Sequence, residues 1–127
     1  MPDTETTYSR AQIEERLQQL PGWYYEGDTI RRVYDTDGWP TTVMLVNALG
    51  FCAEAADHHP DLTVSWGRVT VALSTHSAKG ITDKDFELAK RIEDVVHWQP
   101  GKEGGALEGT PHEDTRFAYI KYDKPKA

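Results

Sequence analysis

The spacing of apolar residues changes period several times along the chain, and each change marks an element. Ile13, Leu17 and Leu20 recur on one helical face behind a Ser9-x-x-Gln12 capping box, and Pro21-Gly22 closes the run; this predicts a helix from Arg10 to Leu20. Trp23-Tyr24-Tyr25 and Thr29 to Tyr34, aromatic or β-branched and separated by Glu26-Gly27-Asp28, predict a hairpin. Asp35 to Pro40 is turn-rich. From Thr42 to Asp57, Val43, Leu45, Val46, Leu49, Ala53 and Ala56 form a wide apolar stripe, the pattern of a largely buried helix, stopped by His59-Pro60. Leu62, Val64 and Trp66, then Val69, Val71 and Leu73, alternate with period two about Gly67, a second hairpin. Thr82 is placed to cap a third helix running to about Val96, with Phe86, Ala89, Ile92, Val95 and Val96 inward and Asp83 and Asp85 in its electropositive first turn.

The resulting order, α-β-β-α-β-β-α, interleaves hairpins with helices and so predicts an α+β fold whose antiparallel sheet is covered on one face. Exposed sheet edges invite pairing with a second chain, and a homo-oligomer is expected. Residues 1–8 read as a polar, flexible tail and 9–96 as the domain. Residues 97–127 read as a Gly- and Pro-rich extension packed on that domain, in which Arg116 to Tyr122 alternates as one further edge strand would.

Composition narrows the class. The chain has 127 residues, 38% hydrophobic and 28% charged, with four Trp, six Tyr and three Phe as core units, which suits one globular domain. Its 14 Lys and Arg stand against 21 Asp and Glu, a net charge of −7 without a basic cluster, so nucleic acid is not expected as a direct ligand. One cysteine, Cys52, excludes an intrachain disulfide and a thiolate metal cluster, and fits a reducing compartment. The polar start lacks the basic and apolar regions of a secretory signal, and no run approaches the ~18 apolar residues of a membrane span. The expectation is a soluble, cytoplasmic protein without membrane contact.

Candidate chemistry concentrates in three histidines: His58 and His59 at the end of the second helix, and His76 after the second hairpin. Glu54 lies one helical turn before His58, and Asp57 precedes the pair. Imidazole titrates near neutrality, at about 6.5 when unperturbed, so two or three of them around a pocket suit acid and base catalysis together. Each residue alone has a plainer reading: a histidine at a helix C-terminus caps carbonyls, Asp85 answers the helix dipole, and Thr75-His76 turns the chain. Glu54, His58, His59 and His76 are competent metal ligands, but adjacent histidines rarely share one ion and no His-Glu-x-x-His motif is present, so no metal is expected. Cys52, mid-helix among apolar neighbours, reads as a small core residue rather than a nucleophile. His97 and His112 read as structural or exposed, and the tryptophans as core or interface residues.

The run Glu54-Ala55-Ala56-Asp57-His58-His59-Pro60, followed at fixed gaps by Trp66, His76 and Asp85, resembles the signature of the pterin-4a-carbinolamine (4a-hydroxytetrahydrobiopterin) dehydratases. Leu73-Ser74-Thr75-His76, Gly80 and Thr82-Asp83-Lys84-Asp85 extend the likeness, which covers roughly Tyr8 to Val96. The resemblance implies a four-stranded antiparallel sheet with three helices on one face, dimers through sheet edges or tetramers of them, and no cofactor. It implies a hydro-lyase that dehydrates 4a-hydroxytetrahydropterins to quinonoid dihydropterins and so recycles the cofactor of an aromatic amino-acid hydroxylase. By position, His58 and His76 would be the acid and base, with His59 binding pterin and assisting the leaving group. Glu54 and Asp57 would bind or orient pterin and imidazoles, Asp85 would support His76, Pro60 would shape its loop, and Ser74, Thr75, Ser77 and Ala78 would line the pocket. Ser77-Ala78-Lys79 fall where relatives vary, and the extension from His97 to Ala127 exceeds the shorter members and resembles a longer bacterial branch. The family also holds non-catalytic proteins, a dimerisation cofactor of a homeodomain transcription factor and RuBisCO assembly factors. Assembly-factor relatives tend to lose the histidine set that is complete here.

Overall fold

The computed structural model describes residues 6–109. Within it run α1 (Arg10–Leu17), β1 (Trp23–Glu26), β2 (Thr29–Asp35), α2 (Trp39–Ala56), β3 (Asp61–Ser65), β4 (Arg68–Leu73), α3 (Asp83–Val96) and a single 3-10 turn at Pro100–Lys102. Among the described residues four strands form one antiparallel sheet in the order β1-β2-β4-β3, with β1 and β3 outermost. The expected α+β fold with three helices is therefore present. The extra strand expected over Arg116–Tyr122 lies outside the described residues.

Local chemistry accounts for most boundaries. Ser9 and Gln12 form the anticipated capping box, with Gln12 N–H donating to the Ser9 hydroxyl and Ser9 N–H to the Gln12 side chain. The helix stops at Leu17 rather than Leu20 because the next three amides turn to carbonyls three residues back, tightening the chain while Leu20 stays in the core. Gly27 and Asp28, both at positive φ, make the two-residue turn between β1 and β2. At the other end of that hairpin, α2 begins at Trp39, three residues before Thr42. Pro40 sits in its first turn, where no intrahelical N–H is needed.

The core lies between the sheet and the helices. Ile30 and Tyr34 of β2, Val69, Val71 and Leu73 of β4, Leu49 of α2 and Phe86, Ala89 and Ile92 of α3 are all buried. Trp23 is also in the core, whereas Trp39, Trp66 and Trp98 are about half exposed or more. The stripe of α2 is covered only in part: Thr42, Leu49, Cys52 and Ala53 are buried, but Val43 is exposed and Phe51 stands 75% exposed. Val64 of β3 and the neighbouring Trp66 are likewise open.

The C-terminal turn of α3 is tied to β2 by a polar cluster. Tyr34 O–H donates to Glu93, Arg32 Nε donates to the same carboxylate at 3.0 Å, and His97 lies 3.2 Å from it. Burial alone would raise the Glu93 pKa, but hydrogen bonds from His97 and Tyr34 and the Arg32 guanidinium outweigh it and bring the carboxyl down to about 2. Burial and the Glu93 carboxylate push the Tyr34 phenol up. His97, expected to be structural or exposed, thus belongs to this polar cluster at the end of α3.

Candidate active site

The site begins with the way α2 ends. Asp57 takes a left-handed conformation (φ 50°, ψ 44°), its N–H returns to Glu54 O and His58 N–H returns to Ala53 O. This pair of reversed bonds is the Schellman motif, and it turns the chain off the helix axis just before the two histidines. Asp57 is exposed and shapes this corner through its backbone. Pro60, partly buried, follows and leads straight into β3.

A second corner forms where α3 starts. Thr82 N–H donates to Asp85 Oδ2 at 2.9 Å, and the Thr82 hydroxyl accepts from Lys84 N–H at 3.2 Å. Asp85 is wholly buried, at the positive end of the helix. The Thr75 hydroxyl donates to the same Oδ2 at 2.8 Å, which leaves the Thr82 hydroxyl as donor to Thr75 across 2.8 Å. The other oxygen, Oδ1, faces His58 Nε2 at 2.6 Å. An ionised carboxylate only accepts, so in this pair the proton sits on His58 Nε2 and Nδ1 is left as the ring's second functional atom.

One carboxylate therefore joins two histidine-bearing segments. His58 binds it directly, and Thr75, the residue before His76, binds its other oxygen. His76 itself is exposed, on the turn that Thr75 and Gly80 close by pairing their backbones, and its side chain has no hydrogen bond or ion pair among the described residues. It borders a cleft of about 430 Å³ together with Ser74 and Thr75. His58 borders a separate groove of about 860 Å³ between α2 and α3, lined also by Asp57, Lys84, Leu88 and Arg91.

The geometry gives each carboxylate its imidazole. Asp85 meets His58 directly and reaches the His76 turn only through Thr75. Glu54 meets His59, whose Nε2 lies 2.8 Å from Oε1, rather than His58, because the left-handed turn at Asp57 breaks the helical register that would have put Glu54 and His58 on one face. That pair is open to solvent, at 83% and 57% exposure, and holds little energy by itself. Thr75 is buried at the floor of the cleft it helps to line and holds Asp85, while Ser77 is exposed and Ala78 partly buried on the His76 turn. Tyr25, Asp28 and Lys79 also line the His76 cleft, and no local motif marks the first two for that place.

Among the described residues, no three His, Cys, Asp or Glu side chains are arranged to hold a metal ion, and no helix is long and apolar enough to cross a membrane. Cys52 is buried, and burial pushes its thiol up, as befits a core residue rather than a nucleophile.

Fold and site together define a small α+β domain with a buried carboxylate at a histidine corner. Residues 6–95 match the family model described as pterin 4 alpha carbinolamine dehydratase, and the chain belongs to that family. It is 44% identical over 91 residues to a protein of Roseiflexus sp. (strain RS-1) named "Putative pterin-4-alpha-carbinolamine dehydratase", covering 72% of this chain and 98% of that one. A protein of the same name from Aquifex aeolicus (strain VF5) is 44% identical over 88 residues, 69% of this chain and 89% of its own. Among solved structures, a transcriptional coactivator/pterin dehydratase from Brucella melitensis superposes with a TM-score of 0.67 at 27% identity, covering 71% of this chain and 98% of that one.

Proposed function

We propose that the protein dehydrates 4a-hydroxytetrahydropterins to quinonoid dihydropterins, returning the cofactor spent by an aromatic amino-acid hydroxylase. The observation that supports this most is the Asp85 carboxylate shared by His58 and Thr75, which fixes one imidazole and anchors the turn that carries another.

The reaction needs two proton transfers. The C4a hydroxyl takes a proton and leaves as water, the N5–H proton passes to a base, and the N–H electron pair becomes the C4a=N5 bond. His58, with Nε2–H held by Asp85, offers Nδ1 as the base, and the buried carboxylate stabilises the imidazolium that forms. His76, exposed and without a side-chain partner among the described residues, is the acid at the leaving hydroxyl, and His59 with Glu54 assists at the rim. Proton in and proton out balance, so the step calls on no redox partner. Each such transfer is commonly worth about 10²–10⁴-fold in rate.

The working unit is proposed to be a dimer or tetramer built through sheet edges. Among the described residues β3 is an edge strand with Val64 exposed, and an open edge is satisfied by a second copy. The test of the reading is to generate the 4a-hydroxypterin with a hydroxylase and follow its decay by ultraviolet absorbance with and without the protein. Acceleration supports the proposal; an unchanged decay rejects it.

A further inference from the structure

Gly80, which closes the His76 turn by pairing with Thr75, is not at positive φ, so its backbone alone would accept a side chain. Space is what a side chain lacks there. A Cβ on Gly80 would stand 2.9 Å from Cγ2 and 3.2 Å from Cβ of Thr7, because the residues before α1 lie across the turn. The next residue fastens them. Tyr8 N–H donates to Ile81 O at 2.9 Å. The Tyr8 hydroxyl donates to Asp83, in the first turn of α3, and accepts from Arg16 Nη1 of α1 at 2.9 Å. The Tyr8 ring meets Phe86 edge-on with 5.4 Å between centroids, and the Arg16 guanidinium lies over both rings, 5.1 Å and 4.7 Å from their centroids. The hydrogen bond to Asp83, more than burial, pushes the Tyr8 phenol up from its ordinary value, which keeps the hydroxyl protonated and donating.

We propose that Thr7 and Tyr8 form a strap that holds His76 in place, with Tyr8 a positioning residue for the dehydration. This role rests on the dehydratase reading, because it is a role in delivering a proton. The His76 side chain has no hydrogen bond or ion pair among the described residues, so the place of its imidazole is set through its backbone. That backbone is held at two points. On the entry side the Thr75 hydroxyl is bound to the buried Asp85, and on the exit side Gly80 and Ile81 lie against Thr7 and Tyr8. Both strap residues also border the cleft that His76 borders. A displacement of about 1 Å in a reacting group costs up to about 10²-fold in rate, so a loosened turn weakens the acid. His58 and His59 stand on the corner that ends α2, away from the strap, so its effect is expected in kcat rather than in KM.

The test uses the full chain and reads kcat and KM on the 4a-hydroxytetrahydropterin together with the NMR signals of the His76 and His58 imidazoles. Gly80→Ala crowds the strap without removing a hydrogen-bonding group, and is expected to lower kcat about tenfold with KM within about twofold of wild type. Adding Thr7→Gly takes away both atoms that the new methyl meets, and is expected to return kcat to within about threefold of wild type. Tyr8→Phe keeps the ring and loses only the hydroxyl; it is expected to lower kcat about threefold, as one lost hydrogen bond would. In both single variants the His76 signal is expected to shift more than that of His58. Thermal melts confirm folding, and if Gly80→Ala does not fold, Tyr8→Phe carries the test on the same readouts. Wild-type kcat in a folded single variant, a loss that Thr7→Gly fails to restore, or a His58 signal that moves as much as that of His76 overturns the strap, while turnover by the wild type leaves the dehydratase reading intact. A wild type without turnover removes that reading and the strap's part in catalysis with it.

Discussion

His58 Nε2 lies 2.6 Å from Oδ1 of Asp85, a carboxylate with no exposure to solvent. A buried charge persists only when it is paired and hydrogen-bonded, and Asp85 gathers His58, Thr75 and the Thr82 amide for that purpose. Asp85→Asn turns an acceptor-only group into one with an N–H₂ end that must face either His58 or the Thr82 amide. The expected result is a loss of about 10²-fold or more in kcat with a smaller change in KM, and about 1–3 kcal/mol of stability. Steady-state kinetics with a urea melt measure both, and a variant with unchanged kcat contradicts the pairing's role.

The corner before the histidines depends on backbone conformation at Asp57. A β-branched residue is strained in the left-handed region, so Asp57→Val is expected to lower stability by about 1–2 kcal/mol, whereas Asp57→Gly is close to neutral. Denaturant unfolding of the two variants distinguishes this backbone role from one carried by the carboxylate, in which both substitutions would behave alike.

The Glu93 cluster gives the fold a defined acid limit. Its carboxyl is lowered to about 2 in the folded chain against 4.5 as the ordinary value, so the folded state holds the charged form more tightly. This contribution is fully present above about pH 4.5 and is lost as pH falls through 2; by linkage it amounts to on the order of 3 kcal/mol. Urea unfolding across pH 2–6 should show Glu93→Gln less stable than wild type at pH 6, with the difference narrowing toward pH 2. A constant difference across that range contradicts the assignment.

The open β3 edge predicts association. In size-exclusion chromatography with light scattering the protein is expected at a multiple of its 14.4 kDa chain mass, and Val64→Lys, which places a charge where edges are naturally blunted, is expected to shift it toward that mass. A wild type that already elutes as a single chain contradicts the proposed assembly.

Much of this was legible in the sequence because it is local. The Ser9 box, the Thr82 cap, the period-two hairpins and the Phe86, Ala89 and Ile92 face of α3 follow from spacing within a few residues, whereas Val95, expected inward, is exposed at the end of that helix. What was not legible depends on the route of the chain between elements. Trp39-Pro40 reads as turn, yet proline is tolerated in a first helical turn, so α2 starts earlier than its apolar stripe. Asp85 is visible as a carboxylate answering the helix dipole, but which imidazole it meets is decided by the left-handed residue at Asp57, which turns His58 toward α3 and leaves His59 to Glu54. Tyr25 and Asp28 reach the His76 cleft only through the strand order β1-β2-β4, some fifty residues away along the chain. The partly bare stripe of α2 has a similar origin: helical spacing marks Val43 as apolar, but it carries no information about whether the same chain covers it.

The central claim is that His58 and His76 act together on one bound pterin. Its most direct measurement is the decay of enzymatically generated 4a-hydroxytetrahydropterin at neutral pH with wild type, His58→Ala, His76→Ala and the double variant. The account predicts clear acceleration by wild type, a loss of about 10²–10⁴-fold in each single variant, and decay at the uncatalysed rate with the double variant. A double variant that accelerates the decay as well as wild type would contradict it.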